Sequence, residues 1–331
     1  MPAGLPILQE PTFSSCLVDD VGRRMRKLRV SLTDACDFRC VYCMPEDMRF
    51  MPKRLLMSAD EVVALVSPLV DAGIEEIRLT GGEPALRADL VDIAARLSAL
   101  PIRRLGITSN GRLLRHHLAE LRSVTRLSSI NVSLDTLQRE RFRRITRRDA
   151  FDDVMECILQ ARDLGFEVKV NCVAQPGVND DELLDFVAFA SESNVEVRFL
   201  EMMNIGVAHD QSEVPVLSAA AIRAALSTTW ELSPIAVEAD STAQRMLLRR
   251  RGHRDARIGI IASETESFCS ECSRLRLSAT GVLRPCLMTN TGTSLRGLPP
   301  AAFAAVVAQV VRQKPLKRLA SIDQPMVSIG G

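Results

Sequence analysis

Leu28-Arg-Val-Ser-Leu-Thr-Asp-Ala-Cys36-Asp-Phe-Arg-Cys40-Val-Tyr-Cys43 reads as a short strand, Leu28 to Leu32, that runs into a loop bearing three cysteines. The same unit of strand, loop and helix-period stretch recurs along the chain. A capping box, Ser58-Ala-Asp-Glu61, opens the first helix, and Gly73 ends it. Further strands are expected at Glu76–Thr80, Arg103–Thr108, Ser129–Leu134, Val168–Val173 and Val195–Leu200. The loops after them carry Gly81-Gly82-Glu83-Pro84, Ser109-Asn110-Gly111 and Asn179-Asp-Asp-Glu182, the last read as an asparagine-started helix cap. Six such units imply an α/β fold with a parallel sheet and right-handed crossovers. An open doubly wound sheet and a six-unit partial barrel both satisfy the pattern. In either, the loops after the strand C-termini build the site.

Beyond about residue 212 the rhythm changes. A helix (Leu217–Leu226) precedes candidate strands at Met246–Leu248, Arg257–Ala262, Leu275–Ser278 and Val282–Pro285, then a helix at Pro300–Val311. We expect three parts: a flexible arm at 1–24, a strand–helix domain at 25–211, and a C-terminal region at 212–331.

Composition narrows the function classes. Aromatic residues make up 4% of the 331, too few for a base-stacking nucleic-acid binder. Lysine and arginine number 42 against 41 aspartate and glutamate, so no global field holds a polyanion. A local cation cluster for a small anion stays open. No run of 18 apolar residues occurs, and the N-terminus lacks the basic-then-apolar pattern of a signal peptide, so a cytoplasmic chain without membrane or nucleic-acid partners is expected. The run Arg139–Arg148 holds six arginines and a single aromatic, Phe142, too little to favour nucleic acid over a solvated helix face.

Six of the nine cysteines fall in two triads, Cys36/Cys40/Cys43 and Cys269/Cys272/Cys286. Soft thiolates select zinc or iron–sulfur. Structural zinc wants four ligands, and His116 and His117 are remote in sequence. A four-iron cluster held by three cysteines keeps one iron open for chemistry. Arg274 and Arg276 alternate with Leu275 between the second and third ligands of the second triad, so on a strand both guanidiniums face one way. They are either exposed on an edge strand or paired with an anion beside the metal.

Cys-x3-Cys-x2-Cys after the first strand, with Tyr42 before the last cysteine and Gly-Gly-Glu-Pro after the second strand, resembles the radical S-adenosylmethionine (SAM) enzymes. Within them, the chain resembles the GTP 3′,8-cyclases of molybdenum-cofactor biosynthesis from about Arg26 to Gly331. Carrying stretches are Ile77-Arg-Leu-Thr-Gly-Gly-Glu-Pro84, Thr108-Ser-Asn-Gly111, Asn131-Val-Ser-Leu-Asp135, Val168-Lys-Val-Asn171, Arg198-Phe-Leu-Glu201, Phe268-Cys-Ser-Glu-Cys-Ser-Arg-Leu-Arg-Leu-Ser278 and Gly330-Gly331. The chain departs from that pattern at Ala35 and Asp37, where arginine and asparagine are usual; an ionised Asp37 would add negative charge beside a cluster.

The resemblance implies an incomplete (βα)6 TIM-type barrel with a smaller cluster-binding C-terminal region. It implies a SAM-binding [4Fe–4S] cluster on Cys36, Cys40 and Cys43, with Tyr42, Gly82, Ser133 and Met203 contacting SAM. It implies a second [4Fe–4S] cluster on Cys269, Cys272 and Cys286 as a docking point for guanine. Arg29, Arg78, Thr108, Lys169, Arg274, Leu275 and Arg276 would contact GTP, with Arg29, Arg274 and Arg276 catalytic, and Gly330 and Gly331 would thread into the site. The implied reaction removes the 3′ hydrogen of the ribose and closes C3′ onto C8 of guanine. Implied partners are an electron donor such as a flavodoxin or ferredoxin, a cyclic pyranopterin monophosphate synthase that takes the product, and a second copy in a homodimer. Two other readings remain: a radical SAM enzyme acting on a peptide, and a non-catalytic zinc or redox module.

Overall fold

The structure, a computed structural model, describes residues 16–206 and 216–329. Six strands, β1 (Lys27–Ser31), β2 (Glu76–Thr80), β3 (Arg104–Ser109), β4 (Leu127–Ser133), β5 (Glu167–Ala174) and β6 (Glu196–Glu201), pair in chain order and are all parallel. They alternate with α1 (Ala59–Asp71), α2 (Leu90–Ser98), α3 (Leu118–Val124), α4 (Arg139–Thr146), α5 (Phe151–Asp163) and α6 (Leu183–Ser193). The capping box forms at α1: Ser58 Oγ accepts from Glu61 N, and Glu61 accepts from Ser58 N. Gly73 leaves that helix at φ +125°, which a side chain would resist.

The C-terminal region extends the same sheet at both edges. After α7 (Ala219–Ser227), β7 (Glu231–Ile235), β8 (Gln244–Arg249) and β9 (Ala256–Ile261) form an antiparallel meander whose last strand joins β6 in parallel. β10 (Arg274–Leu277) joins β1 in parallel, followed by β11 (Val282–Arg284), β12 (Thr293–Ser294) and α8 (Pro300–Arg312). The order is β12-β11-β10-β1-β2-β3-β4-β5-β6-β9-β8-β7. The sheet curls, because the turn after β7 reaches back to its opposite half. Asp240 there accepts from Lys27 Nζ at 2.7 Å and pairs with Arg26 at 2.9 Å, and Glu238 accepts from Arg103 at 2.8 Å. Buried Glu201 anchors the far side, accepting from Ala219 N, Glu264 N and Thr265 N at 2.7 to 2.9 Å.

Two expectations are corrected. Residues 16–24 are not a loose arm. Cys16 and Leu17 are fully buried, and Arg23 pairs with Asp19 at 2.6 Å while donating to the carbonyls of Cys269, Lys314 and Pro315 at 2.6 to 3.0 Å. Those partners lie 246 to 292 residues onward, so no local pattern marks the packing. Asn179 does not cap α6. Its amide instead bonds the carbonyls of Asp135 and Val173 at 2.6 and 2.9 Å and accepts from Gln175 N, bracing the loop between β5 and α6. Arg139, Arg141, Arg143 and Arg147 face carboxylates of Asp149, Asp181, Glu140 and Glu46, so α4 presents an ion-paired outer face.

Register puts like charges side by side. Arg276 on β10 lies opposite Arg29 on β1, and Arg29 opposite Arg78 on β2. The next strand offers Gly106, across which Arg78 reaches to the Ile107 carbonyl at 3.2 Å and Ser129 Oγ at 3.3 Å. A Cβ at 106 would stand 2.5 Å from Ser129 Oγ and 3.0 Å from the Arg78 guanidinium carbon. We expect Gly106→Ala to cost about 1–3 kcal/mol in urea unfolding, as overpacking does. Adding Ser129→Ala should recover part of that loss; equal losses in the single and double variants would sink this account.

Candidate active site

The first cysteine loop is wedged between the glycine turn and α4. Gly82 N donates to the Thr33 carbonyl and Glu83 N to the Ala35 carbonyl, both at 2.7 Å. A Cβ on Gly81 or Gly82 would stand 2.4 or 2.2 Å from those same oxygens, so only glycine fits there. On the other side Arg39 N and Val41 N donate to the Thr146 and Ile145 carbonyls at 3.0 Å, satisfying the end of α4, and Phe38 packs edge-on against Phe142. Asn110 Nδ2 bonds Asp37 at 2.7 Å and lies 3.9 Å from Cys36 Sγ. Arg112 stands 3.3 Å from the Asp37 carboxylate, so the charge that this residue brings is paired.

This end is apolar and anionic. Burial pushes the Cys36 and Cys43 thiols up to about 12, helped at Cys36 by Glu83 and at Cys43 by Asp135, and drives Cys40 up in the same direction. Burial raises Asp135 to about 6, although Tyr42 OH donates to it at 2.7 Å. It also raises Glu83 to about 7 despite donors from Asn110, Ala85 and Ser109. Among the described residues, no three His, Cys, Asp or Glu side chains are grouped to hold a single metal ion. Zinc would need its thiolates about 3.8 Å apart, from 2.3 Å bonds in a tetrahedron. Three cysteines spread around one loop, with no fourth donor, instead suit an iron–sulfide cluster with one open iron.

Cys36, Cys40 and Cys43 line one end of a cavity of about 570 Å³, a size suited to small-molecule ligands. Tyr42, Gly82, Ser133 and Met203 line it as well. Deeper along the strands it is lined by Arg29, Arg78, Thr108, Lys169 and Arg274. Here the charges are positive and crowded. Burial and Arg274 lower Arg29 to about 10, and burial with Arg29 and Arg198 lowers Arg78 to about 9. Lys169 falls to about 6: burial and the guanidiniums of Arg198, Arg104 and Arg78 outweigh the Glu196 carboxylate, and Glu167, 2.5 Å from Nζ, is shared with Arg104. Asn131 Oδ1, Asn171 Oδ1 and Arg245 Nε are buried on this wall without a protein partner, which marks the cavity as a polar ligand's place.

The second triad lies beyond Arg274, whose Nη2 is 3.5 Å from Cys272 Sγ, and its cysteines do not line the cavity themselves. Its surroundings are the reverse of the first triad's. Burial raises the Cys272 thiol, but Arg274 and Lys314 outweigh it and bring it down to about 6. Buried Lys314 bonds the Arg274 and Pro285 carbonyls at 2.6 and 2.8 Å. Arg276 is buried behind Arg274 and off the cavity wall, its pKa driven down by burial, Arg29 and Arg274. Leu275 alternates to the other face and joins the core, so its side chain is not at the cavity. The tail runs beside residues 204–206 through an Ile205–Ile322 bridge and brings Met326 and Val327 to the cavity wall. Gly330 and Gly331 lie outside the described residues.

Sequence reading passed over several wall residues. Arg198 and Arg245 both line the cavity and share the buried Glu196 carboxylate at 2.6 and 2.7 Å. Arg198 could have been found, since it sits on a strand two residues from Glu196; Arg245 and Lys314 carry no local signal.

Residues 30–190 match the radical SAM superfamily, and residues 195–317 match the molybdenum cofactor synthesis C-terminal family. A protein of Synechocystis named GTP 3′,8-cyclase is 39% identical over 96% of this chain and 96% of its own. One of the same name from Streptomyces coelicolor is 40% identical over 95% and 96%. Among solved structures, Streptococcus suis SuiB bound to S-adenosylmethionine superposes with a TM-score of 0.63 at 14% identity, covering 88% of this chain and 66% of that one, a likeness of fold alone. Family membership carries SAM and a [4Fe–4S] cluster with it, and the three-thiol loop is suited to hold the latter. By identity over nearly the whole length of those relatives, the chain belongs to the GTP 3′,8-cyclase family of the radical SAM superfamily.

Proposed function

We propose that the chain closes GTP to (8S)-3′,8-cyclo-7,8-dihydroguanosine 5′-triphosphate, the first step of molybdenum-cofactor biosynthesis. One observation carries this reading: the cavity that begins at three cysteines ends in crowded cations whose burial and mutual repulsion lower their pKa values. A triphosphate removes that repulsion by charge-assisted hydrogen bonds. When bound, the cluster on Cys36, Cys40 and Cys43 and its SAM supply one-electron cleavage and a hydrogen-abstracting radical. The residues position the two reactants and exclude water from the cavity between them. Tyr42, Gly82, Ser133 and Met203 hold SAM, while Arg29, Arg78, Lys169 and Arg274 hold the triphosphate and Thr108 the sugar. Arg276 supports Arg29 and Arg274 from behind, and Leu275 contributes through its main chain.

The curled six-unit sheet is an incomplete (βα)6 barrel; support comes from the single cavity that side chains of β1 to β6 share. The boundary between barrel and C-terminal region at 211/212 lies outside the described residues. Cys269, Cys272 and Cys286 hold a second [4Fe–4S] cluster, for which the cationic surroundings of Cys272 speak, since they favour the thiolate. Gly330 and Gly331 complete the site from the tail. A one-electron donor, a homodimer, a synthase that takes the product and a cytoplasmic setting complete the proposal. Among the described residues no helix is long and apolar enough to cross a membrane.

The deciding experiment is anaerobic. Reconstituted, reduced protein with SAM should form 5′-deoxyadenosine only when GTP is present, together with the cyclised nucleotide. Slow formation that ignores GTP would remove the substrate assignment. Cys40→Ala should abolish SAM cleavage. Arg274→Ala should keep SAM affinity and lose about 10- to 100-fold in GTP turnover, the worth of one charged hydrogen bond. Lys169 adds a pH dependence. It titrates near pH 6 in the free protein, and phosphate raises that value on binding, so between the two values the complex takes up a proton. GTP affinity, read by calorimetry without reductant, should therefore fall as pH rises above about 6, by up to tenfold per unit. Lys169→Met should flatten the profile.

A further inference from the structure

None of the six arginines in Arg139–Arg148 lines the cavity, yet the helix that carries the first four is built onto the first cysteine loop. α4 gives its last carbonyls to Arg39 N and Val41 N, and Arg148 Nε donates to the Asp37 carbonyl at 2.8 Å. Helix and loop therefore present one continuous surface. On it Val41, between Cys40 and Tyr42, is 39% exposed, so the cysteine loop itself reaches solvent there.

The charges around Val41 are unbalanced. Glu46 is taken by Arg147 at 2.9 Å, Glu140 by Arg143 at 3.3 Å, and Asp37 by Arg112. Arg39 lies 4.9 Å over the Phe50 ring and donates only to the carbonyls of Cys36, Phe38 and Glu46. Arg148 likewise meets only backbone oxygens. Arg49 and Arg144 are exposed and have neither hydrogen bond nor ion pair among the described residues. Four guanidiniums thus lack a carboxylate, against one exposed acid, Asp47, that has no basic partner there. The aromatics of this face are occupied: Phe142 is buried, and Phe50 is covered by Arg39. Nothing is left on which a nucleic-acid base could stack.

We propose that this face docks a small, acidic, one-electron carrier protein, which delivers its electron through the Cys40–Cys43 loop. The inference rests on the reading that Cys36, Cys40 and Cys43 hold a four-iron cluster. The carrier is oxidised by one electron and the cluster reduced by one; no atom or proton changes hands. Opposite charge steers encounter and fixes orientation, while the apolar Val41 gives a short dry contact at the point of closest approach. The face lies outside the cavity, so the carrier and GTP do not compete.

The test uses the anaerobic, cluster-loaded chain, an acidic flavodoxin as probe, and the double variant Arg49→Glu/Arg144→Glu. Both side chains are exposed and unpartnered, so melting temperature and cluster absorbance should match the parent. Flavodoxin binding, read by fluorescence anisotropy across a salt series, should weaken about tenfold or more in the variant, and its salt dependence should flatten. Deoxyadenosine formation driven by dithionite should be unchanged, whereas that driven by reduced flavodoxin should fall with the affinity. Equal flavodoxin binding by parent and variant overturns the proposal. So does a single-stranded oligonucleotide that binds the parent and is lost in the variant while flavodoxin binds neither. A parent chain inactive even with dithionite would count against the cyclase reading instead, and the binding comparison would still decide the surface.

Discussion

Everything in the cavity follows from guanidiniums placed on neighbouring strands in matching register. Arg276, Arg29 and Arg78 occupy one row across β10, β1 and β2. Like charges directly opposite one another destabilise a sheet, and burial adds a desolvation cost to each. The chain accepts this cost and adapts its neighbours to it. Gly106 gives Arg78 a floor to lie across, and Gly259 does the same for Arg198, whose Cγ would be 3.1 Å from an added Cβ. Where carboxylates do enter, as Glu196 and Glu167, they stand at the strand starts and hold a cation from behind.

That arrangement sorts the two ends of the cavity by sign. Around the first triad, Glu83, Asp135 and Asp37 stand near thiols that burial keeps protonated when no metal is bound. Around the second, Arg274 and Lys314 pull a thiol down to about 6. A sulfonium ligand and a tetra-anionic nucleotide would be oriented by this gradient before any specific hydrogen bond formed. One cavity thereby receives two substrates without confusing their places, on the reading proposed above.

The sequence announced the strands well because buried parallel strands are short, apolar and β-branched. β1 to β6 lie within about two residues of their expected positions. It announced the cysteine loop and the glycine turn because those residue types are dictated by chemistry and by close backbone approach. It did not announce β7, whose Pro234 argues against a strand until the strand proves to be a sheet edge, where the missing N–H is tolerated. Nor did it reveal that Arg23 staples residues 16–24 to the C-terminal region, or that Arg245 shares a carboxylate with Arg198. Each is a contact between residues far apart in the chain, and periodicity sees only neighbours. For Leu275, which the resemblance marks as a substrate contact, strand alternation sends the side chain into the core and leaves only the main chain for such a contact.

Depth along a strand is what converts this fold into a reaction vessel. Parallel pairing in chain order puts every loop that follows a strand at one end, so Gly82, Asn110 and the cysteines share a level. The same register puts Arg29 and Arg78 at a lower one. From Arg78 to Gly82 is four residues of β2 and its turn, about 13 Å at the rise of a strand. On the reading proposed above, a nucleoside triphosphate anchored by its phosphates at the lower level would present its ribose toward the upper one. On that reading, the spacing between the cationic row and the glycine turn suits a ligand that is charged at one end and reactive some way from it. A free triphosphate would satisfy the cations but leave the reacting level empty, and a nucleoside would reach that level with nothing to hold it there.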